Sequence, residues 1–104
     1  MEKKYKLTDE TVIVDGRTLH RIEALKDFAN IKKGEKGGFI EDEKNLSQGG
    51  DCWVCDNARV YGNARIFGNA RIFGNVFVLN NEQVYGNAQI CDDALFRDYA
   101  PLCA

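Results

Sequence analysis

This sequence of 104 residues lacks the features that direct a chain to a membrane or to nucleic acid. No apolar run approaches the length needed to cross a bilayer, and the start, Met-Glu-Lys-Lys-Tyr-Lys, lacks the apolar core of a signal peptide. The net charge is −2, so no global excess of positive charge is available for nucleic acid. We therefore expect one small domain in the cytoplasm.

Residues that often carry chemistry are also scarce. The chain has one histidine, His20, and its Gly-Asn dipeptides are not followed by the Lys-Ser/Thr of a phosphate-binding loop. Cys52 and Cys55 form a single CxxC pair, and no second pair completes the spacing of a zinc site. We expect structural thiols, with no cofactor and no bound metal.

A six-residue repeat dominates the second half of the chain, from Cys52 to Leu102. It reads aliphatic, aromatic, Gly, Asn, Ala, Arg, most clearly between Ala58 and Val78. The aliphatic position recurs at Val54, Val60, Ile66, Ile72, Val78, Val84, Ile90 and, as an aromatic stand-in, Phe96. A small residue mostly stands two positions earlier, at Cys52, Ala58, Ala64, Ala70, Val76, Ala88, Ala94 and Ala100. This period fits a short strand with two inward side chains and a tight turn, and it does not fit a helix.

Three such turns close a triangle of about eighteen residues, so that strands of successive coils stack in parallel. The repeats resemble the hexapeptide-repeat family, the left-handed parallel β-helix of bacterial acyltransferases. The variant with an aromatic residue before Gly-Asn-Ala is similar to repeat proteins of bacteria and their prophages. The predicted fold is all-β: a left-handed parallel β-helix of about three coils over residues 37–104, with an N-terminal β-hairpin cap over residues 1–36.

The cap is predicted from a turn signal at Asp15-Gly16, which lies between alternating apolar residues. Tyr5 to Leu7 is predicted as a short strand, and Thr11 to Val14 pairs with Arg17 to Ile22. The register stays open, because Val12, Val14, Leu19 and either Arg21 or Ile22 compete for the buried face. Ile22 to Phe28 fits either a helical turn or a continued strand.

The eighteen-residue period also sorts the outward residues by face. One face carries Trp53, Arg71 and Gln89, the next carries Arg65, Gln83 and Pro101, and the third carries Arg59, Phe77 and Leu95. Because the three repeat arginines fall on different faces, a nucleic-acid groove is disfavoured. Phe77 and Leu95, flanked by Tyr61 and Leu79 at the corner, predict an apolar patch that binds a partner, unless the hairpin covers it.

Two further contact sites are predicted. The acidic cluster Glu41, Asp42 and Glu43 is a second candidate for binding a partner, or else a solvated loop. At the C-terminal end, Phe96, Tyr99 and Leu102 either close the coil themselves or contact another subunit in a homodimer or trimer.

The resemblance to acyltransferases implies a histidine on the coil that acts as general base. His20 lies in the hairpin, outside the repeats, so we expect no enzyme activity. We predict a non-catalytic module that binds another protein. Analogy with prophage proteins narrows this to an inhibitor of a host defence system such as a CRISPR–Cas effector. The alternatives are a self-assembling structural protein and a degenerate acyltransferase relative.

Overall fold

The computed structural model describes residues 3–90 and the backbone of the strand at 95–96. A long hairpin comes first, with β1 (Tyr5–Val14) and β2 (Arg17–Ala24), followed by β3 (Lys36–Ile40) and a 3₁₀ turn (Glu43–Asn45). Eight two-residue strands follow: β4 (Trp53–Val54), β5 (Arg59–Val60), β6 (Arg65–Ile66), β7 (Arg71–Ile72), β8 (Phe77–Val78), β9 (Gln83–Val84), β10 (Gln89–Ile90) and β11 (Leu95–Phe96). Nowhere in this part of the chain does a helix reach the length and apolar character that crossing a bilayer requires.

The short strands stack in three parallel ladders, one on each side of a coil. β3, β5, β8 and β11 form the first ladder, β4, β7 and β10 the second, and β6 and β9 the third. Arg59 pairs with Phe77, 18 positions later, and Leu46 extends the third ladder by bridging to Ile66. Three successive turns of the chain are therefore present, which confirms the predicted parallel β-solenoid of about three coils.

The interior of the coil is filled by the two inward columns of the repeat. The aliphatic column is buried at Val54, Val60, Ile66, Ile72, Val78, Val84 and Ile90. The small column is buried at Cys52, Ala58, Ala64, Ala70 and Val76. Large and small side chains alternate because a narrow triangular interior has little room beyond one aliphatic side chain per strand.

The corners require a left-handed backbone in every repeat. Gly68, for example, has a φ of 71°, and a Cβ built on it would lie 2.9 Å from the backbone nitrogen of Gly86 on the next coil. Where glycine is missing, Asp56 and Asn80 take its place, with φ of 55° and 62°. Short polar side chains tolerate this conformation better than most, so these two corners keep the geometry without glycine.

The hairpin forms around the predicted turn and then joins the solenoid. Asp15 and Gly16 both have positive φ, 52° and 75°, as a two-residue hairpin turn requires. β1 pairs antiparallel with β2, with a register shift between Leu7 and Thr11, and β2 pairs antiparallel with β3. The six-stranded order is β1-β2-β3-β5-β8-β11, so the hairpin extends one face of the coil. β2 continues as a strand to Ala24, which decides against the helical turn.

The base of the hairpin closes the N-terminal end of the coil. Tyr5, Ile22 and Ala24 are buried in one cluster with the first inward residues of the solenoid. The ring of Trp53 points outward from its strand but is 1% exposed, because Tyr5 and Phe28 pack against it edge to face at 6.3 and 5.2 Å between ring centroids. The base of the hairpin therefore packs against the first coil, and we call this N-terminal region the cap.

A buried lysine fastens this cap. Lys4 is 1% exposed, and its Nζ donates to the carbonyl oxygens of Gly49, Gly50 and Cys52 at 3.3, 3.3 and 2.8 Å. Its Nζ also lies 3.4 Å from the Sγ of Cys52. Burial lowers the pKa of Lys4 below its ordinary value, since the charged form loses contact with water. Three carbonyl acceptors nevertheless hold the amino group against the first coil.

Candidate functional site

The predicted apolar patch lies on the first ladder of the coil, beside the hairpin. Phe39 pairs with Arg59, Arg59 with Phe77, and Phe77 with Leu95, so these residues form one outward column. We call this column, from Phe39 to Phe77, the Phe77 face. The side chain of Leu95 lies outside the described residues.

The hairpin folds over one side of the Phe77 face and makes a second, small hydrophobic cluster. Leu19, Phe39 and Tyr61 are buried in it, and four half-buried side chains pack against them: Val12, Val14, Phe77 and Leu79. This is the covering that the sequence left open as an alternative. The two clusters also show which hairpin residues are buried on which side. Val12, Val14 and Leu19 pack in the small cluster, whereas Ile22 packs in the coil interior.

Tyr61 holds the tip of the hairpin in place. Its hydroxyl donates to Oδ2 of Asp15 at 2.8 Å, and the side chain is 5% exposed. Burial, together with this hydrogen bond to a carboxylate, raises the pKa of Tyr61 to about 12. The sequence placed Tyr61 beside the predicted patch and left open whether the hairpin covers it, and the structure places Tyr61 beneath the hairpin.

Arg59 stands at the centre of the Phe77 face. Its guanidinium carbon lies 6.0 Å from the ring centroid of Phe39 and 5.2 Å from that of Phe77, so the cation is held between two aromatic rings. Its Nε is buried without a hydrogen-bond partner, the one such side-chain atom among the described residues. The sequence named Arg59 on this face but gave it no role.

The acidic cluster is used by the chain itself. Glu41 pairs with Arg17 at 2.9 Å and also accepts from the backbone N–H of Gly62. Asp42 caps the 3₁₀ turn by accepting from the backbone N–H of Lys44, and Glu43 pairs with Lys3 at 3.1 Å. These carboxylates therefore organise the loop between the hairpin and the first coil, and each already has an internal partner.

An exposed aromatic pair lies at a different corner of the coil. Phe67 and Tyr85 stack with 5.3 Å between ring centroids and 12° between ring planes, and they are 37% and 51% exposed. They follow β6 and β9 and are 18 positions apart. Sequence reasoning missed this pair, although the same eighteen-residue spacing applied to the aromatic corner position would have found it.

Cys52, Cys55 and His20 are the cysteines and the histidine that the structure describes. Cys52 is buried inside the coil, while Cys55 lies half-buried at a corner, where burial raises the pKa of its thiol to about 11. The described part of the chain contains no cluster of three residues able to hold a metal ion. Nδ1 of His20 lies 3.0 Å from the carbonyl oxygen of Thr8 within the hairpin. Cys91 and Cys103 lie outside the described residues, as do Tyr99, Leu102 and the side chain of Phe96.

A groove of about 570 Å³ runs between the hairpin tip and the coil. Its walls are mostly polar and are formed by Asp15, Arg17, Tyr61, Gly62, Asn63, Leu79, Asn80 and Asn81. No histidine or cysteine is among the described residues that line this groove.

Comparisons with known proteins agree with this architecture. The YdcK β-solenoid repeat family matches residues 54–65 and 64–80. The fold and these repeats together show a β-solenoid built of hexapeptide repeats, and the repeats are similar to those of this family. A relative from Escherichia coli (strain K12), named "Uncharacterized acetyltransferase YdcK", is 36% identical over 69 residues. That similarity covers 58% of this chain and 21% of the relative, so the chain spans about a fifth of the relative's length.

Proposed function

We propose that this chain is a non-catalytic module that binds another protein through the outer surface of its coil. The observation that carries the proposal is the stacked pair Phe67 and Tyr85, which the chain leaves exposed although its interior is well filled. Large aromatic side chains on an ordered surface are characteristic of contact sites between proteins. A β-solenoid suits this role because its stacked backbone ladders hold the surface in one shape before binding.

The position of the chain's polar groups supports a module without catalysis. His20 bonds within the hairpin, and the carboxylates of the acidic cluster are engaged by Arg17, by Lys3 and by backbone groups. A general base must reach the proton that it removes from a bound substrate. No described histidine lies on the coil, where the resemblance to acyltransferases would require it.

The test compares the chain with a variant in which Phe67 and Tyr85 are both changed to serine. Each chain is immobilised and exposed to a bacterial lysate, and the proteins that it retains are identified by mass spectrometry. Gln83→Ser is the matched control, since Gln83 is exposed on the strand before Tyr85. We expect the wild type and the control to retain the same protein and the double variant to lose it. Equal retention by all three proteins would contradict the proposal.

A degenerate acetyltransferase is the second candidate, favoured by the name of the Escherichia coli relative. It requires binding of acetyl-CoA and transfer of an acetyl group. We expect calorimetry with acetyl-CoA to show no saturable heat. Saturable binding together with release of free CoA in the presence of an amine or alcohol acceptor would replace the proposed function with catalysis.

Two narrower proposals come from the sequence. Similarity to prophage repeat proteins suggests inhibition of a host defence component such as a CRISPR–Cas effector, inside a bacterial cell. Loss of target cleavage by a purified effector on addition of this chain would support it, and unchanged cleavage by the effectors tested would count against it. Self-assembly into a homodimer or trimer is the structural alternative, and the mass in solution measured by light scattering separates it from a monomer.

A further inference from the structure

Two arginines contact the ring of Phe39, and their surroundings differ sharply. The guanidinium carbon of Arg21 lies 4.3 Å from the ring centroid, while that of Arg59 lies at 6.0 Å. Arg59 also contacts Phe77, so the column reads Arg21, Phe39, Arg59, Phe77 along the coil. Both cations are therefore oriented by aromatic rings.

Arg21 has a full set of polar partners. Its Nε donates to a carboxylate oxygen of Glu10 at 2.8 Å, and its terminal nitrogens donate to backbone oxygens and to the side chain of Asn57. The Nε of Arg59 has no hydrogen-bond partner among the described residues, and no carboxylate of this part of the chain lies within ion-pair distance of its guanidinium. Arg21 therefore has hydrogen-bond acceptors around its guanidinium, whereas the buried Nε of Arg59 has none among the described residues.

We propose that Arg59, held between Phe39 and Phe77, is the anchor for a carboxylate presented by a protein partner. This inference rests on the proposed function and adds the chemistry of the partner: an acidic side chain beside apolar residues. The carboxylate bonds the outer nitrogens of the guanidinium, while the apolar residues pack against Phe77 and Leu79.

A carboxylate fits this position for electrostatic and geometric reasons. Guanidinium presents a planar fork of N–H donors that matches two carboxylate oxygens. Aromatic rings on either side restrict the side chain before binding, so less conformational entropy is lost when the pair forms. Partial burial removes water from the cation, which strengthens its attraction to an opposite charge. Arginine beside aromatic residues is also the composition in which binding energy concentrates at interfaces.

The chain's own acidic groups near this face are already engaged. Glu10 pairs with Arg21, and Glu41 pairs with Arg17 and bonds the backbone of Gly62. Asp15 accepts from Tyr61, and Asp56 accepts from the backbone N–H of Gly74. None of these described carboxylates therefore serves as the counterion of Arg59, and the proposed site takes one from the partner.

The test is a nuclear magnetic resonance titration that follows the side-chain N–H resonances of the arginines. The probe is a short extended peptide with two glutamates flanking a phenylalanine, compared with the same peptide carrying glutamines, and with inorganic phosphate. Arg59→Gln removes the anchor, and Arg65→Gln is the matched control at the same repeat position on another face. Glutamine occupies this outward position at Gln83 and Gln89, so both variants keep a residue that the repeat already accepts.

We expect saturable shifts at Arg59 with the glutamate peptide and none with the glutamine peptide. Arg59→Gln should weaken binding about tenfold or more, and Arg65→Gln should leave it unchanged. The proposal is overturned by an absent or non-saturable shift at Arg59, by equal weakening in the two variants, or by tighter binding of phosphate than of the glutamate peptide.

The two proposals fail in different ways. If the glutamate peptide does not bind but a protein is still captured through Phe67 and Tyr85, the anchor is wrong and the proposed function stands. If the chain transfers acetyl groups and the peptide still binds Arg59, the proposed function is wrong and the carboxylate site stands.

Discussion

The coil and the cap of this molecule are stabilised in different ways. In the coil, equivalent aliphatic side chains stack every eighteen residues, and backbone hydrogen bonds join each strand to the next coil, as between Arg59 and Val76 at 2.9 Å. In the cap, single contacts with no repeat carry the attachment, such as the bonds of Lys4 to three carbonyl oxygens. Stability is therefore distributed along the coil and concentrated at a few positions in the cap.

This difference also separates scaffold from surface. From one repeat to the next, the outward strand position is occupied by arginine, phenylalanine or glutamine between Arg59 and Gln89. This is tolerated because the inward columns form the core of the coil. The cap uses part of that outer surface, where the hairpin buries Tyr61 and partly covers Phe77, and leaves Phe67 and Tyr85 open. Mutations in the coil, in the cap and on the exposed surface test this difference. The expected loss of unfolding free energy is largest in the coil, smaller in the cap and smallest at the exposed surface.

The largest loss of stability is expected for Ile72→Ala in the coil. Ile72 is fully buried and stacks between Val54 and Ile90 on neighbouring coils. Removing its side chain leaves a cavity that the rigid ladders cannot close, so the free energy of unfolding should fall by about 2–5 kcal/mol. Urea unfolding measures it, with exposed Gln83→Ala as control. A loss as small as that of the control would mean that the coil repacks.

Lys4→Met should have the next largest effect, and it tests the cap. Methionine fills a similar volume but leaves the carbonyl oxygens of Gly49, Gly50 and Cys52 without their donor, a loss of about 1–3 kcal/mol. Trp53, the one tryptophan, lies beneath the cap and reports its opening as a red shift of fluorescence. Exposed Lys6→Met is the control. An unchanged unfolding free energy would show that the ammonium is dispensable.

Tyr61→Phe should cost about 1–2 kcal/mol at neutral pH, because it removes a hydrogen bond to the carboxylate of Asp15. The folded pKa of about 12 is above the ordinary value of 10, so the fold favours the neutral hydroxyl. Its contribution is therefore complete below pH 10 and is lost as the pH rises from 10 to 12. Unfolding free energies of the two proteins should converge across that range. Tyr85→Phe is the exposed control, and a constant difference would contradict the assignment.

The smallest change in stability is expected for the double variant Phe67→Ser and Tyr85→Ser. Both rings are exposed and stack on each other, so unfolding free energy should change by less than about 1 kcal/mol. Thermal unfolding measures this change. A fall of several kcal/mol would mean that the pair is structural, and the loss of partner capture in the same variant would then carry no information about binding.

The solenoid could be predicted because its information is local and repeated. The inward columns, the left-handed corners and the pairing of Arg59 with Phe77 all follow from a period of six and a coil of eighteen. The hairpin turn was equally clear, since Asp15-Gly16 is a local signal. Trp53 and Phe77 pair with Arg71 and Arg59 in the outward columns that the period predicted, but Trp53 is buried and Phe77 is half-buried.

The candidate site was less accessible from sequence. Nothing periodic relates Lys4 to Cys52, or Asp15 to Tyr61, because these contacts join segments more than 40 positions apart. The sequence could therefore only leave open whether the hairpin covers the predicted patch, and the structure shows that it covers part of it. The acidic cluster looked free for the same reason, since the pairing of Glu41 with Arg17 depends on how the hairpin docks.

The sequence by itself determined the coil: which residues turn inward, where the chain turns, and which residues stack on one another. This is possible because each repeat forms the same short strand and turn. Residues eighteen positions apart then stack on neighbouring coils. Only the tertiary structure decided which outward residues remain exposed. That outcome depends on where the hairpin packs against the coil, and this packing involves non-repeating contacts of Lys4, Tyr5, Arg21 and Tyr61.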